Sequence, residues 1–195
     1  MRKGIKFTIT IALLCVLGVA LYYHFSNTSK NKQDKNEEDS VTVSEVDKLI
    51  SKKLDENYPL TAREVVNLYT RIQKCYYNVE CSSEELVKLA YMSVSLFDDE
   101  LVQNNPFDEY YSELVSDIDQ YKKDGKTISR VIVDKSSDIV YSTVEGQKYA
   151  SINCIYYLKT ENKTEKTIET YVLRKDNEDR WKILGWKLYE EKGEE

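Results

Sequence analysis

Cysteine, tyrosine and the carboxylates are the residue types that could carry chemistry in this chain, because histidine is almost missing. The one histidine among 195 residues is His24. Everything after it lacks imidazole, which excludes a Ser-His-Asp triad, a Cys-His pair and any zinc site that needs histidine. Cys75 and Cys81 close the stretch CYYNVEC. That spacing is not a CxxC redox motif, and no further ligands accompany it. The stretch joins the end of one helical pattern to the start of the next. It fits a disulfide stapling the turn in an oxidising compartment, or two free buried thiols. So short a disulfide loop stabilises by about 2–3 kcal/mol in the chain-entropy description. Cys154 falls mid-strand and reads as a buried thiol. The acidic run FDDE at 97–100 lies on a helical pattern without the loop spacing of a calcium site, and reads as a solvated face. Six glycines are scattered, so no phosphate-binding loop forms. NKT at 162–164 is a glycosylation acceptor only in a eukaryotic host. No cofactor and no metal are expected.

The first 25 residues stand apart. Arg2, Lys3 and Lys6 precede an apolar run from Phe7 to Phe25 with Tyr22 and Tyr23 at its far end. About 20 apolar residues at about 1.5 Å rise span a bilayer core of about 30 Å, and interfacial tyrosines suit its edge. The expectation is one transmembrane helix, residues 7–25 in the membrane, the N-terminus cytoplasmic and the rest extracytoplasmic at the cell membrane. The alternative is cleavage after Gly18-Val19-Ala20 and secretion. Cys15 does not make a lipoprotein signal, because Leu14 precedes it where a small residue is needed. Residues 26–43 read as a flexible polar tether, which leaves 44–195 as the extracytoplasmic domain. Residues 1–25 carry +3 and 26–40 carry −1, leaving −8 for the remainder of a chain of net charge −6. So acidic a domain has no electrostatic footprint for nucleic acid or anionic lipid.

Helices come first in the domain. A weak one is expected over 44–57, with Val46, Leu49, Ile50 and Leu54 on one side. TAREVVNLYTRIQKCYY opens on a capping box, Thr61 with Glu64, and carries the stripe Val65, Leu68, Tyr69, Ile72 and Tyr76. SSEELVKLAYMSVSLFDDELV repeats the device with Ser82 and Glu85 and reads as one helix, its stripe running from Leu86 to Leu101. The third begins with Asn105 as cap and Pro106 at the first helical position. Phe107, Tyr110, Tyr111, Leu114, Ile118 and Tyr121 line it, and Gly125 stops it.

From Lys126 the period falls to two. KTISRVIVD and DIVYSTVEG are strands around KSS. QKYASINCIYYLKTE is a long strand with Ala150, Ile152, Cys154, Tyr156 and Leu158 on one face, and TEKTIETYVLRK and RWKILGWKL follow. Short polar turns predict that successive strands are antiparallel neighbours. Trp181 and Trp186 sit five apart and so at opposite parity. A β-bulge across Leu184-Gly185 turns both rings toward the helices and bends the sheet. The fold class is α+β, with N-terminal helices packed on a strongly curved antiparallel sheet.

This order of elements, with ETYVLRKDNEDRWKILGWKL at 169–188, resembles the cone-shaped nuclear transport factor 2-like superfamily, which includes ketosteroid isomerase and polyketide-cyclase relatives. The resemblance covers about residues 60–190. With every helix before the sheet, the chain departs from members that carry a helix between strands. Anchor, spacer and domain together are similar to small envelope proteins of low-GC Gram-positive bacteria and to membrane-anchored components of conjugation machinery. The superfamily's enzymes use a carboxylate base or a tyrosine donor inside the cone, where apolar walls make few groups effective. The resemblance makes Tyr149, Tyr156, Tyr157, Tyr171, Trp181 and Trp186 candidate cavity-lining residues, and no catalytic residue carries over. It implies a non-catalytic module binding an envelope protein or a small apolar ligand, with a homodimer as an assembly option. A cofactor-free isomerase or cyclase, and a subunit of a conjugation or secretion assembly, are the alternatives.

Overall fold

The computed structural model describes residues 44–189, and the anchor and tether expected over 1–43 lie outside them. Among the described residues no helix is long and apolar enough to cross a membrane. Within the described residues five helices precede five strands: α1 Glu45–Ile50, α2 Ala62–Asn78, α3 Ser83–Val94, α4 Asp99–Asn104, α5 Phe107–Lys123, then β1 Thr127–Val133, β2 Val140–Val144, β3 Gln147–Lys159, β4 Thr164–Lys175 and β5 Trp181–Leu188. The α+β class holds, with helices against a curved antiparallel sheet.

Capping sets most helix starts. Ser44, Thr61 and Ser82 each accept from the backbone N–H three residues on, and Asp47, Glu64 and Glu85 return the bond. The first helix is shorter than its sequence pattern, stopping at Ile50. The long helix expected over 82–102 is broken. Backbone bonds from Asp98 N to the Ile183 carbonyl and from Ile183 N to the Leu96 carbonyl, both 2.8 Å, pull residues 96–98 alongside β5. Asp98 then caps α4. It is buried, not part of a solvated face, and takes a bidentate contact from the Arg174 guanidinium, Nε at 3.0 Å. Asn105 closes α4 instead of opening α5. Pro106 is the N-cap of α5 and gives no side-chain bond. Gly125, at φ +57°, ends α5 with its own N–H on the Lys122 carbonyl and the Lys126 N–H on that of Tyr121. This double closure needs the left-handed region that glycine enters freely.

The sheet runs β1-β3-β4-β5, and β2 also pairs with β3. KSS is therefore not a hairpin turn. β1 pairs with the C-terminal half of β3 and β2 with its N-terminal half, so the two follow one another along a single edge. Asp134 makes the break, its N–H on the Asn153 carbonyl at 3.0 Å and its carboxylate on the Asn153 N–H at 2.8 Å. Glu145 and Gly146, at φ +51° and +83°, form the tight turn into β3, as a two-residue hairpin requires. In β5, Ile183 pairs with Leu173 and Gly185 with Val172, leaving Leu184 as the bulged residue. Trp181, Ile183 and Trp186 all lie on the inner face, as the change of parity predicts.

Inner-face residues Ala150, Ile152, Leu173 and Ile183 are fully buried with Leu49, Val65, Val66 and Leu96. The C-terminal end of α2 is fixed by Asn78, whose amide donates to the Ile128 carbonyl and accepts from its N–H, each at 2.8 Å. At the other end Arg63 Nε reaches the Asp134 carbonyl at 2.7 Å.

Candidate functional site

Toward the C-terminal end of α2 the inner face becomes largely aromatic and polar. The stripe of α2 changes from Val65 and Val66 to Tyr69, Gln73, Tyr76 and Tyr77. The inner face of β4 changes from Leu173 to Tyr171, Glu169 and Thr167. Between them lies a cavity of about 520 Å³. Helix α5 forms one wall with Tyr110, Glu113, Asp117 and Tyr121. Only Leu114 and Ile118 of α5 are buried, because the helix spans the hollow and does not press on the sheet. Trp186 and Leu188, just past the bulge, stand at the opening.

Aromatic rings frame the space. Trp186 lies 5.7 Å from Tyr69, 5.8 Å from Tyr171 and 6.0 Å from Phe97, centroid to centroid. Tyr77 and Tyr121 approach to 4.2 Å at 30°. Such offset and edge contacts fix ring positions beyond what apolar burial alone would do.

A polar chain crosses the floor. Tyr156 Oη is 2.7 Å from Gln73 Oε1 and 2.8 Å from Tyr171 Oη, which is 2.7 Å from Glu169 Oε2. Three links need three protons, and the two hydroxyls supply two. The third comes from Glu169 in its acid form, or from Gln73 turned so that its amide N–H₂ donates to Tyr156. Burial raises the Glu169 pKa above the usual carboxylate range, only partly offset by the Tyr171 hydroxyl bonded to it. Burial also pushes the Tyr156 and Tyr171 hydroxyls far up, so both stay protonated donors. Glu113 and Asp117 stand exposed on α5, four residues apart, and Tyr77 Oη donates to Asp117 Oδ2 at 3.4 Å. None of the three carboxylates enters an ion pair among the described residues.

Of the six candidate lining residues, Tyr156 and Trp186 line the cavity, and Tyr171 lies directly behind, holding Glu169. Tyr149 and Tyr157 are on the outer face, since their odd positions oppose the inward even ones of β3. The Tyr157 ring carries the Arg130 guanidinium at 4.9 Å. Trp181 is buried away from the cavity, against Tyr141 and Lys175. Cys75 and Cys81 stand as free thiols, Cys81 Sγ reaching the Cys75 carbonyl at 4.0 Å. Burial pushes Cys75 up to about 11, which makes it a poor nucleophile. Cys154 is fully buried on the inner face of β3. No group of three or more metal-ligating side chains occurs among the described residues.

Sequence reasoning missed Glu169 and the tyrosines of α2 and α5. For Glu169 a signal was present: Thr167, Glu169, Tyr171 and Leu173 share one parity, which sets a carboxylate within an inward-facing row. Residues 1–186 match the family described as "Domain of unknown function (DUF6715)". No curated protein matches the chain.

Proposed function

We propose that this chain, which belongs to the DUF6715 family of unknown function, is a binding module that takes a small ligand into the cavity between α2, α5 and the sheet. One observation carries the reading: a cavity of about 520 Å³, aromatic-walled, with convergent polar groups on its floor. Binding sites are commonly concave, mostly apolar spaces of about 300–1,000 Å³ with a few placed polar groups. The resemblance to the nuclear transport factor 2-like cone, whose enzymes act inside the cone, supports the same reading. The basic tip and apolar run of residues 1–25 support display of the module on the outer side of a membrane.

The test is ligand-observed NMR of the full chain against a small-molecule fragment library, repeated with Thr167→Trp. The indole of that variant fills space beside Glu169. Hits on the wild type that the variant loses, with its far-UV circular dichroism and denaturation midpoint unchanged, are the expected result. Hits that bind both proteins equally, or a library with no hits, would overturn the reading.

A second reading rests on Glu169. A carboxyl whose pKa is raised by burial and which is held by a tyrosine hydroxyl is suited to shuttle a proton. Exchange of α-protons of a cyclic ketone for deuterium, abolished by Glu169→Gln, would establish it. Exchange at the uncatalysed rate would remove it.

A further inference from the structure

Among the described residues the cavity walls carry acid and aromatic groups and no base. Eight aromatic side chains and the carboxyls of Glu113, Asp117 and Glu169 face it, and no described Lys or Arg does. Other carboxylates of the domain do meet a cation, as in Arg174 with Asp98, Arg71 with Glu45 and Arg180 with Asp176. Tyrosine and tryptophan faces are electron-rich and attract a cation within about 6 Å of the ring centroid. The same wall already shows this from behind, where the Lys126 ammonium sits 5.3 Å from the centroid of Tyr121. An anionic ligand would meet two rim carboxylates that enter no ion pair and, among the described residues, no donor cation. A neutral ligand would leave those carboxylates without use.

We propose that the ligand is a small organic cation, an ammonium or alkylated ammonium on an apolar body, with its charge against the aromatic wall and beside the carboxyl of Glu169, drawn in past Glu113 and Asp117. This inference rests on the binding reading above. The floor chain gives it a proton linkage. Glu169 is half-buried and that burial raises its pKa, and the groups that face it, Tyr171 on its own strand, Cys154 and Tyr156 on β3 and Tyr121 on α5, include no cation among the described residues. An ammonium arriving beside it stabilises the carboxylate, so binding expels the proton and grows stronger with rising pH through the titration of Glu169.

The experiment uses three probes with one phenyl-ethyl body and different charge: 2-phenylethylammonium, 2-phenylethanol and phenylacetate. Each is titrated into the full chain by NMR between about pH 5 and pH 8, where the amine stays protonated. The expected result is that the ammonium binds at least about tenfold tighter than the alcohol at the upper pH. Phenylacetate is expected to bind weakest. Glu169→Gln is expected to flatten the pH dependence and to cost the ammonium about tenfold, more than it costs the alcohol. The exposed pair Glu113→Gln/Asp117→Asn, which cannot disturb the core, is expected to slow association and reduce ammonium affinity at low salt. If the alcohol or phenylacetate binds as tightly as the ammonium and Thr167→Trp abolishes it, the cavity binds ligands and the charge inference is overturned. If no probe binds, or binding survives Thr167→Trp, the binding reading itself fails and this inference with it.

Discussion

The two ends of the layer between helix α2 and the sheet are built from the same three elements and differ in what they enclose. At one end Val65 and Val66 of α2, Leu173 of β4 and Ile183 of β5 are fully buried against Leu49, Leu96 and Ile152. At the other, the same helix presents Tyr69, Gln73 and Tyr77, and the same strands present Glu169 and Trp186 around a hollow. The bulge at Leu184 divides them. Before it β5 adds an aliphatic row to a close-packed interior. After it the strand turns and leaves Trp186 and Leu188 at an opening, 40 % and 63 % exposed. The difference teaches that close packing and enclosed space are separated along one helix. The solid end can hold the fold while the hollow end keeps a space that packing would otherwise fill.

The sharpest way to break that comparison is to damage the solid end. Ile183→Ala is expected to cost about 3–5 kcal/mol, because the side chain is fully buried and its strand is locked to Leu96 and Asp98. Urea denaturation of the full chain would read it. A loss below about 1 kcal/mol would mean that the aliphatic end is not the stabilising one. Asp98→Ala comes next, at about 3 kcal/mol. It removes the cap of α4 and leaves the Arg174 guanidinium, whose pKa is pushed up chiefly by its hydrogen bonds to Asp98, with the exposed Glu100 as its remaining carboxylate. The Asp98→Asn variant, which keeps the cap, should recover part of the loss.

Glu169→Gln sharpens the contrast from the hollow end, and its signature is a slope. The folded carboxyl has a raised pKa. The native state therefore binds the proton more tightly than the unfolded chain. Stability from this group is full below the unfolded value, about 4.3, and is lost as pH rises through the folded value. The variant lacks this loss, so its denaturation midpoint relative to wild type should climb with pH and then level off. A constant difference would show that Glu169 titrates normally. The smallest effect is expected at Leu188→Ala, within about 0.5 kcal/mol, since the residue is mostly exposed at the opening.

Much of this division was legible in the sequence, and the unread part has a physical cause. Capping boxes and the apolar stripes of α2 and α3 gave the helix starts, and parity gave the strands and the bulge beside Gly185. The break between α3 and α4 was hidden because helical periodicity continues through Phe97 and Leu101. Only the tertiary pairing of Leu96 and Asp98 with Ile183 stops the helix there. KSS failed as a hairpin for a related reason: a turn-like composition cannot report that both flanking strands pair with β3. At the site, Tyr156, Tyr171 and Trp186 were within reach because the strand period names a face. The tyrosines of α2 and α5 were read as core, since a helical stripe over a cavity looks the same as a stripe over packed side chains.

The central claim is that ligand capacity belongs to the aromatic end alone, and backbone and indole NMR shifts during titration with 2-phenylethylammonium test it most directly. The account predicts shifts concentrated at Gln73, Glu169, Gly185 and the indole N–H of Trp186, with Leu49, Ile152 and Leu173 unmoved. Shifts centred on the aliphatic end, or spread evenly over both, would contradict it.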